Sequence, residues 1–324
     1  MIGATDFVLL NRYQRHFPLV ARPYAEIAAQ LGVSEAEVIA SYERLAARGV
    51  LGRIGALFRP NTIGASLLAA LAVPEGDLER VAAMVSAHAE VNHNYEREHE
   101  FNLWFVAAAP DAARLEGVVA AIERETGFAA LRLPLVEEYH IDLGFDLGSG
   151  EVPRGSSAAA EAWPLDGAER RLVGALAGGL PFVSEPYAAL GRVAGLSGSE
   201  VIERLRRWLA SGVLRRFGTV VRHRTLGYTS NAMVVWDVPD AAAREAGERL
   251  AAQPEVTLCY RRARRPPRWN YNLFCMVHGT ERAQVSAAIE RVTQAAGLDA
   301  YPREVLFSRR CFAQRAARYG AAHG

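Results

Sequence analysis

The chain of 324 residues has no lysine; its 37 Lys-or-Arg positions are all arginine. That absence excludes Schiff-base catalysis and a lysine anchor for pyridoxal phosphate. It also excludes a Walker P-loop, whose lysine reaches the phosphates. Cysteine is scarce: Cys259, Cys275 and Cys311 show no CxxC spacing, which argues against a disulfide framework or structural zinc. Charge of one sign is missing as well. With 37 basic and 36 acidic residues the net charge is +1, so no global field draws the chain to nucleic acid or a membrane. No apolar run reaches about eighteen residues and no charged leader opens the chain, so the expectation is a cytoplasmic protein without membrane contact.

What is present is one unit written twice. Pro18-Leu-Val-Ala-Arg-Pro-Tyr24 recurs as Pro181-Phe-Val-Ser-Glu-Pro-Tyr187, with both prolines and the tyrosine at the same spacing. Gly32-Val-Ser34 recurs as Gly195-Leu-Ser197, and Phe101-Asn-Leu103 as Tyr271-Asn-Leu273. A repeat this long is a duplicated module rather than a solenoid of short units. The Gly/Ser/Ala-rich stretch 148–162 reads as the linker.

Each half opens with a helical part. Apolar spacing predicts a helix over 6–16, Pro23 suits the first turn of a second, and Ser34 before Glu35 and Glu37 caps a third that ends near Gly49. Helix, helix, glycine turn, helix is the helix-turn-helix pattern. Residues 51–58 read as a strand. The order then becomes strand 66–73, helix 77–88, strands 91–97 and 101–107, helix 112–126, strand 131–138, which is the ferredoxin-like βαββαβ unit. The second half repeats it over 229–307. The expected fold class is therefore α+β. Two helix-turn-helix parts (1–60 and 163–223) each precede a ferredoxin-like domain (61–147 and 224–324, the latter with a C-terminal tail), and the halves pair as a pseudo-dimer.

Residues 92–105, NHNYEREHEFNLWF, crowd two histidines, an arginine, a tyrosine, three glutamates and a tryptophan together. On a strand His93, Tyr95 and Arg97 share one face, while Asn94 and Glu96 take the other; His99 lies at the hairpin turn. The second half has Leu258-Cys-Tyr260 in place of His93-Asn-Tyr95, then Arg261 to Arg268 with five arginines in eight residues. Both hairpin histidines are gone, so the halves cannot be equivalent sites. The plain alternatives are a solvated polar hairpin and a solvated or phosphate-binding basic loop.

A helix-turn-helix followed by a ferredoxin-like domain resembles the Lrp/AsnC regulators, over both halves. The third helix of the first half is acidic, with Glu35, Glu37 and Glu43 against Arg44 and Arg48. Its counterpart is weakly basic, and two unequal reading helices fit a palindromic DNA site badly. The string from His93 to His99, with Phe101-Asn-Leu-Trp-Phe105 and Glu138-Tyr-His-Ile-Asp-Leu-Gly-Phe145, looks like the signature of the sirohaem decarboxylases. Those enzymes use the Lrp/AsnC plan as a pair of related subunits, here resembling a pair fused in one chain of the haem d1 type.

The resemblance implies removal of two acetate carboxyl groups from sirohaem, giving 12,18-didecarboxysirohaem, without a cofactor. The iron enters as part of the substrate. It makes His93, His99 and Tyr95 the candidate proton donors, with His93 or His99 as alternative iron ligands. It makes Arg97, Asn102, Trp104, Tyr260, Arg262, Arg264, Arg265, Arg268 and Asn272 candidate substrate contacts, with arginine as the carboxylate holder. His140 is a reserve candidate, while His278 carries no special signal. The implied partner is sirohaem, with no nucleic acid and room for a further homo-oligomer. The alternatives are a DNA-binding regulator, in one version haem-sensing, and a silent tetrapyrrole carrier.

Overall fold

Helix α1 (Ala4–Arg12) is shorter than the predicted 6–16 because Tyr13 to Phe17 are drawn to a strand of the other half. The Tyr13 carbonyl accepts from Thr219 N–H at 2.9 Å, and Phe17 N–H donates to the Phe217 carbonyl. A Cβ on the intervening Gly218 would sit 2.2 Å from the Tyr13 oxygen, so this approach requires glycine. Helix α2 (Pro23–Leu31) starts on its proline and ends on left-handed Gly32. Helix α3 (Glu35–Ala47) has the Ser34–Glu37 capping box, worth about 1 kcal/mol. Strand β1 (Leu51–Phe58) follows. The structure, a computed structural model, describes residues 3–141 and 162–319, and residues 148–161 of the expected linker lie outside them.

The first ferredoxin-like part comprises β2 (Ala65–Leu71), α4 (Leu78–Ala87), β3 (Val91–Arg97), β4 (Leu103–Ala109), α5 (Ala112–Thr126), β5 (Leu131–Leu133) and β6 (Leu135–Ile141). The single strand expected over 131–138 is two, broken at Pro134, which has no N–H for a ladder bond. The second half gives α6 (Gly167–Ala177), α7 (Pro186–Ala194), α8 (Gly198–Ala210) and β7 (Leu214–Val221). Then come β8 (Ser230–Trp236), α9 (Ala243–Ala251), β9 (Val256–Arg262), β10 (Leu273–Gly279), α10 (Arg282–Ala295) and β11 (Arg303–Gln314). The α+β class and the doubled helix-turn-helix and ferredoxin-like plan stand as read from the sequence.

Two compact units result, and each mixes both halves. Among the described residues, one holds 3–65, 162–226 and 318–319; the other holds 66–141 and 227–317. In the helical unit β1 and β7 pair antiparallel with Gly55 opposite Gly218. The repeated Pro…Pro-Tyr motif supplies a reciprocal link there. Tyr24 donates to the Pro181 carbonyl at 2.9 Å and Tyr187 to the Pro18 carbonyl at 2.7 Å, both tyrosines fully buried.

The sheet unit has nine strands in the order β5-β2-β4-β3-β11-β8-β10-β9-β6. Its two ends, β5 and β6, flank Pro134 in the chain, so the sheet closes on itself. Strand β11 pairs first with β8 of its own half and then with β3 of the other; in the first half the two tasks are divided, β5 pairing with β2 and β6 with β9 of the other half. Helices cover the outside, where Trp236, Val256, Leu273 and Cys275 pack with Leu250, Val285 and Ile289 of α9 and α10. The inside carries a second cluster that includes Leu68, Trp104, Met233, Tyr260, Trp269, Phe274, Met276 and Leu306.

Candidate active site

Alternation along β3 separates two chemistries. Asn94 turns to α4, donating to the Ala82 carbonyl and to Ser86 Oγ, and Glu96 pairs with Arg310 of β11. His93, Tyr95 and Arg97 turn to the inner face. The His93 and Tyr95 rings stack at 6.2 Å and 16°, and the Arg97 guanidinium lies 5.9 Å from the Tyr95 centroid. Arg97 is buried; its Nη1 donates to the Leu306 carbonyl at 3.1 Å and to Ser308 Oγ at 2.9 Å. Its Nε has no hydrogen-bond acceptor. Burial pushes the Arg97 pKa down to about 10, against the pull of the Tyr260 and Tyr95 hydroxyls, so it stays a cation at neutral pH.

The second half reproduces this arrangement on β9. Arg262 lies 4.6 Å over the Tyr260 ring, donates Nη1 to the Leu133 carbonyl at 2.7 Å, and also leaves Nε unmet. Burial lowers its pKa, opposed by Tyr260. Tyr260 stacks on Phe274 at 5.7 Å. The inner face thus carries two cations, each with a buried unpaired N–H. His93, Tyr95, Arg262 and His278 keep partial exposure although they face the inside of a closed sheet. This part of the inner face is therefore not fully packed.

The halves differ in where imidazoles fall. Leu258 occupies the place of His93. Conversely His278, on β10, occupies the place of Ala108. His278 Nδ1 is 2.8 Å from Thr257 Oγ1, and burial with the nearby Arg97 charge pushes its pKa down to about 4. Sequence reading passed over His278. The mismatch of Ala108 and His278 in the repeat was the available signal.

The remaining candidates scatter. His99 sits in the hairpin, where its Nδ1 accepts from Phe101 N–H at 2.9 Å and its ring meets Trp269 edge-on at 5.5 Å. A backbone N–H aimed at Nδ1 keeps that nitrogen unprotonated, so neutral His99 carries its proton on Nε2. Burial lowers its pKa against the Glu304 and Glu100 carboxylates. Trp104 is buried against Trp269 at 5.2 Å and donates to the Phe101 carbonyl. Asn102 clamps both the N–H and the carbonyl of Val73, and Asn272 clamps those of Val238 in the same way. The basic run divides: Arg264 is held by Asp237 and Asp240, while Arg265 and Arg268 are exposed on the hairpin surface. Arg268 lies 5.2 Å over the Phe101 ring. His140 is buried on β6 opposite Cys259. Among the described residues no three His, Cys, Asp or Glu side chains gather as a metal site, and no helix is long and apolar enough to cross a membrane.

Two helix-turn-helix parts and two paired sheet domains, with arginines set into a largely apolar inner face, follow the plan of the AsnC-type proteins. The family model described as "AsnC-like ligand binding domain" matches residues 63–140 and 225–313. "Siroheme decarboxylase NirDL-like HTH domain" matches residues 6–51 and 169–215. The "Siroheme decarboxylase NirDL subunit" of Paracoccus pantotrophus is 48% identical over 316 residues, 96% of either chain. The chain belongs to the sirohaem decarboxylase family of the NirDL kind. The "Siroheme decarboxylase NirD subunit" of Stutzerimonas stutzeri is 52% identical over 147 residues, 97% of its own length but 45% of this chain. A solved structure of a siroheme decarboxylase NirDL in co-complex with an iron-uroporphyrin III analogue superposes with a TM-score of 0.70 at 29% identity, covering 97% of this chain and 93% of that one.

Proposed function

We propose that this chain is a sirohaem decarboxylase, a carboxy-lyase that converts two acetate side chains of sirohaem to methyls with release of two carbon dioxide molecules. The observation that carries the reading is the inner pair Arg97 and Arg262, each with a buried, unpaired Nε and each beside a tyrosine. A buried guanidinium with an unmet donor is costly unless an anion completes it. A macrocycle ringed with carboxylates supplies such anions. An arginine gripping the departing carboxylate would stabilise the ground state and slow its loss. Arg97 and Arg262 therefore hold flanking carboxylates, leaving the reacting acetate against the apolar wall that includes Met276 and Leu306.

In each step the adjacent pyrrole is transiently protonated, the carbon–carboxylate bond breaks and its electron pair passes into that ring; the exocyclic carbon then takes a proton as the ring proton leaves, so one proton is consumed per carbon dioxide. His93 is the first candidate donor, because it stands on the inner face beside Tyr95 and Arg97. Tyr95 is the second. His99, with Nδ1 occupied by a backbone N–H, is a poorer acid and fits a wall or orienting role. Asn102 and Asn272 act by fixing the hairpin ends, and Arg264 by holding the second hairpin. Arg265 and Arg268 meet substrate carboxylates only at the rim. The reaction takes no organic cofactor, the iron arrives with the substrate, and the site of action is the cytoplasm.

A DNA-reading role has less support. On α8, Arg207 is bound by Glu169 at 2.6 Å, Arg204 faces Asp166 at 3.8 Å and Arg206 donates to the Leu19 carbonyl. On α3, Glu35 pairs with Arg22. Cations already engaged are weak phosphate contacts.

The test is anaerobic incubation of the full chain with sirohaem, followed by mass analysis of the tetrapyrrole. Loss of two carbon dioxide units is expected. Binding with unchanged mass would make the protein a carrier, and a shift of random duplex DNA without sirohaem binding would favour the regulator.

A further inference from the structure

We infer that His278, contributed by the second half, ligates the iron of the tetrapyrrole substrate and makes the Arg97 side of the inner face the single reaction site. The inference rests on the decarboxylase reading and adds to it a residue and a side.

Register fixes the position. Arg97 on β3 lies opposite Ser308 on β11; Phe307 lies opposite Ala232 on β8, and Asn231 opposite His278 on β10. Arg97 and His278 therefore stand at one level of the closed sheet. Arg97 Nη2 also comes within 3.8 Å of the sulfur of Met276, the inner neighbour of His278 on β10.

Hydrogen bonding fixes the tautomer. Thr257 Oγ1 lies 3.1 Å from the Met276 carbonyl and 2.8 Å from His278 Nδ1. The hydroxyl has one proton. Both contacts hold together only if that proton goes to the carbonyl and Nδ1–H donates to Oγ1. The lone pair is then on Nε2, which takes no hydrogen bond among the described residues, on a side chain that keeps partial exposure. Histidines that bind metals have this arrangement: one ring N–H anchored to an oxygen, the other nitrogen open. Imidazole suits iron among its ligands. His99 has the opposite arrangement, with Nδ1 occupied and the proton on Nε2.

Asymmetry selects the side. Around Arg97 gather Tyr95, His93 and His278. The equivalent surroundings of Arg262 offer Tyr260, Leu258 and Ala108, with no imidazole at either equivalent position.

The test uses ferric iron-uroporphyrin III as probe, bound to the full chain grown with nitrogen-15-labelled histidine. Electron–nuclear double resonance on the wild type should show a histidine nitrogen coupled to the iron. The coupling should vanish in His278→Ala and His278→Gln and persist in His93→Ala and His99→Ala. Added imidazole should restore the six-coordinate absorbance spectrum of His278→Ala. Coupling retained in the His278 variants, absent from the wild type, or lost in His93→Ala or His99→Ala overturns the assignment, even if the His278 variants fail to fold. A wild type that takes up no porphyrin overturns the decarboxylase reading as well. A wild type that decarboxylates sirohaem without histidine coupling overturns the ligand alone.

Discussion

Arg97 shows how a single residue joins stability to recognition. Its Nη1 satisfies the Leu306 carbonyl and Ser308 Oγ, so the guanidinium is held in place before any ligand arrives. Arg97→Met keeps most of the volume and removes the charge. A charge-assisted contact is worth about 1.5–3 kcal/mol, which corresponds to roughly a tenfold or greater loss of affinity. Absorbance titration with iron-uroporphyrin III should show that loss, whereas Ser308→Ala, which removes an internal acceptor alone, should bind within a few-fold of wild type. Equal affinity for Arg97→Met would remove Arg97 from the substrate contacts. His278 makes a separate prediction about acid. Its folded pKa of about 4 lies below its ordinary 6.5, so between those values the unfolded chain binds a proton that the folded chain refuses. The stabilisation is complete above about pH 6.5 and is lost as pH falls towards about 4. Urea midpoints should therefore drop over that window, and His278→Gln should flatten the drop. It should not abolish it, because His99 is shifted in the same direction. A wild-type midpoint that is flat across the window would contradict the enclosed position of His278.

The elements were legible wherever a local rule sets them. Capping at Ser34, the proline start at Pro23 and the alternation in 91–97 gave helices and strands close to those observed, because each depends on neighbours a few residues away. Pairing between halves was not legible. The break at Pro134, the crossing of β11 from β8 to β3, and the shortening of α1 are decided by residues far along the chain. The same limit governed the site. His93, Tyr95 and Arg97 share a face by period two, but the placement of His278 at the level of Arg97 depends on three successive strand registers. The recurrence of Asn102 and Asn272 fits a structural backbone hydrogen bond as readily as a substrate contact, but which backbone groups they hold is not legible in the sequence. Each asparagine holds both backbone groups of a valine at the end of the neighbouring strand, Val73 and Val238. Asn272→Ala leaves the N–H of Val238 unmet, while the Val238 carbonyl keeps its bond from Arg264, at a cost of about 1–3 kcal/mol. The melting temperature should fall and the Val238 amide should exchange faster with solvent. Unchanged protection at Val238 would show that the clamp is dispensable.

On the scale of the whole molecule, the two halves are folding partners before they are anything else. Three inter-half seams among the described residues are main-chain pairings: β1 with β7, β3 with β11, β6 with β9. The reciprocal bonds of Tyr24 and Tyr187 add two buried side-chain links. A half by itself would leave strand edges open, and open edges recruit other strands. Cutting the chain within 148–160 and producing both pieces together should yield a one-to-one complex that still binds iron-uroporphyrin III. The NirD relative, which matches 45% of this chain over 97% of itself, has the length of one such piece. Produced alone, the first piece should pair with a second copy or aggregate. A self-paired first half would carry Arg97 and His93 twice but Ala108 in place of His278, so it should take up porphyrin without the histidine-ligated spectrum. A first half that remains a folded monomer with one sharp melting transition would show that the seams are not required for folding, and the pseudo-dimer would then be an arrangement for function alone.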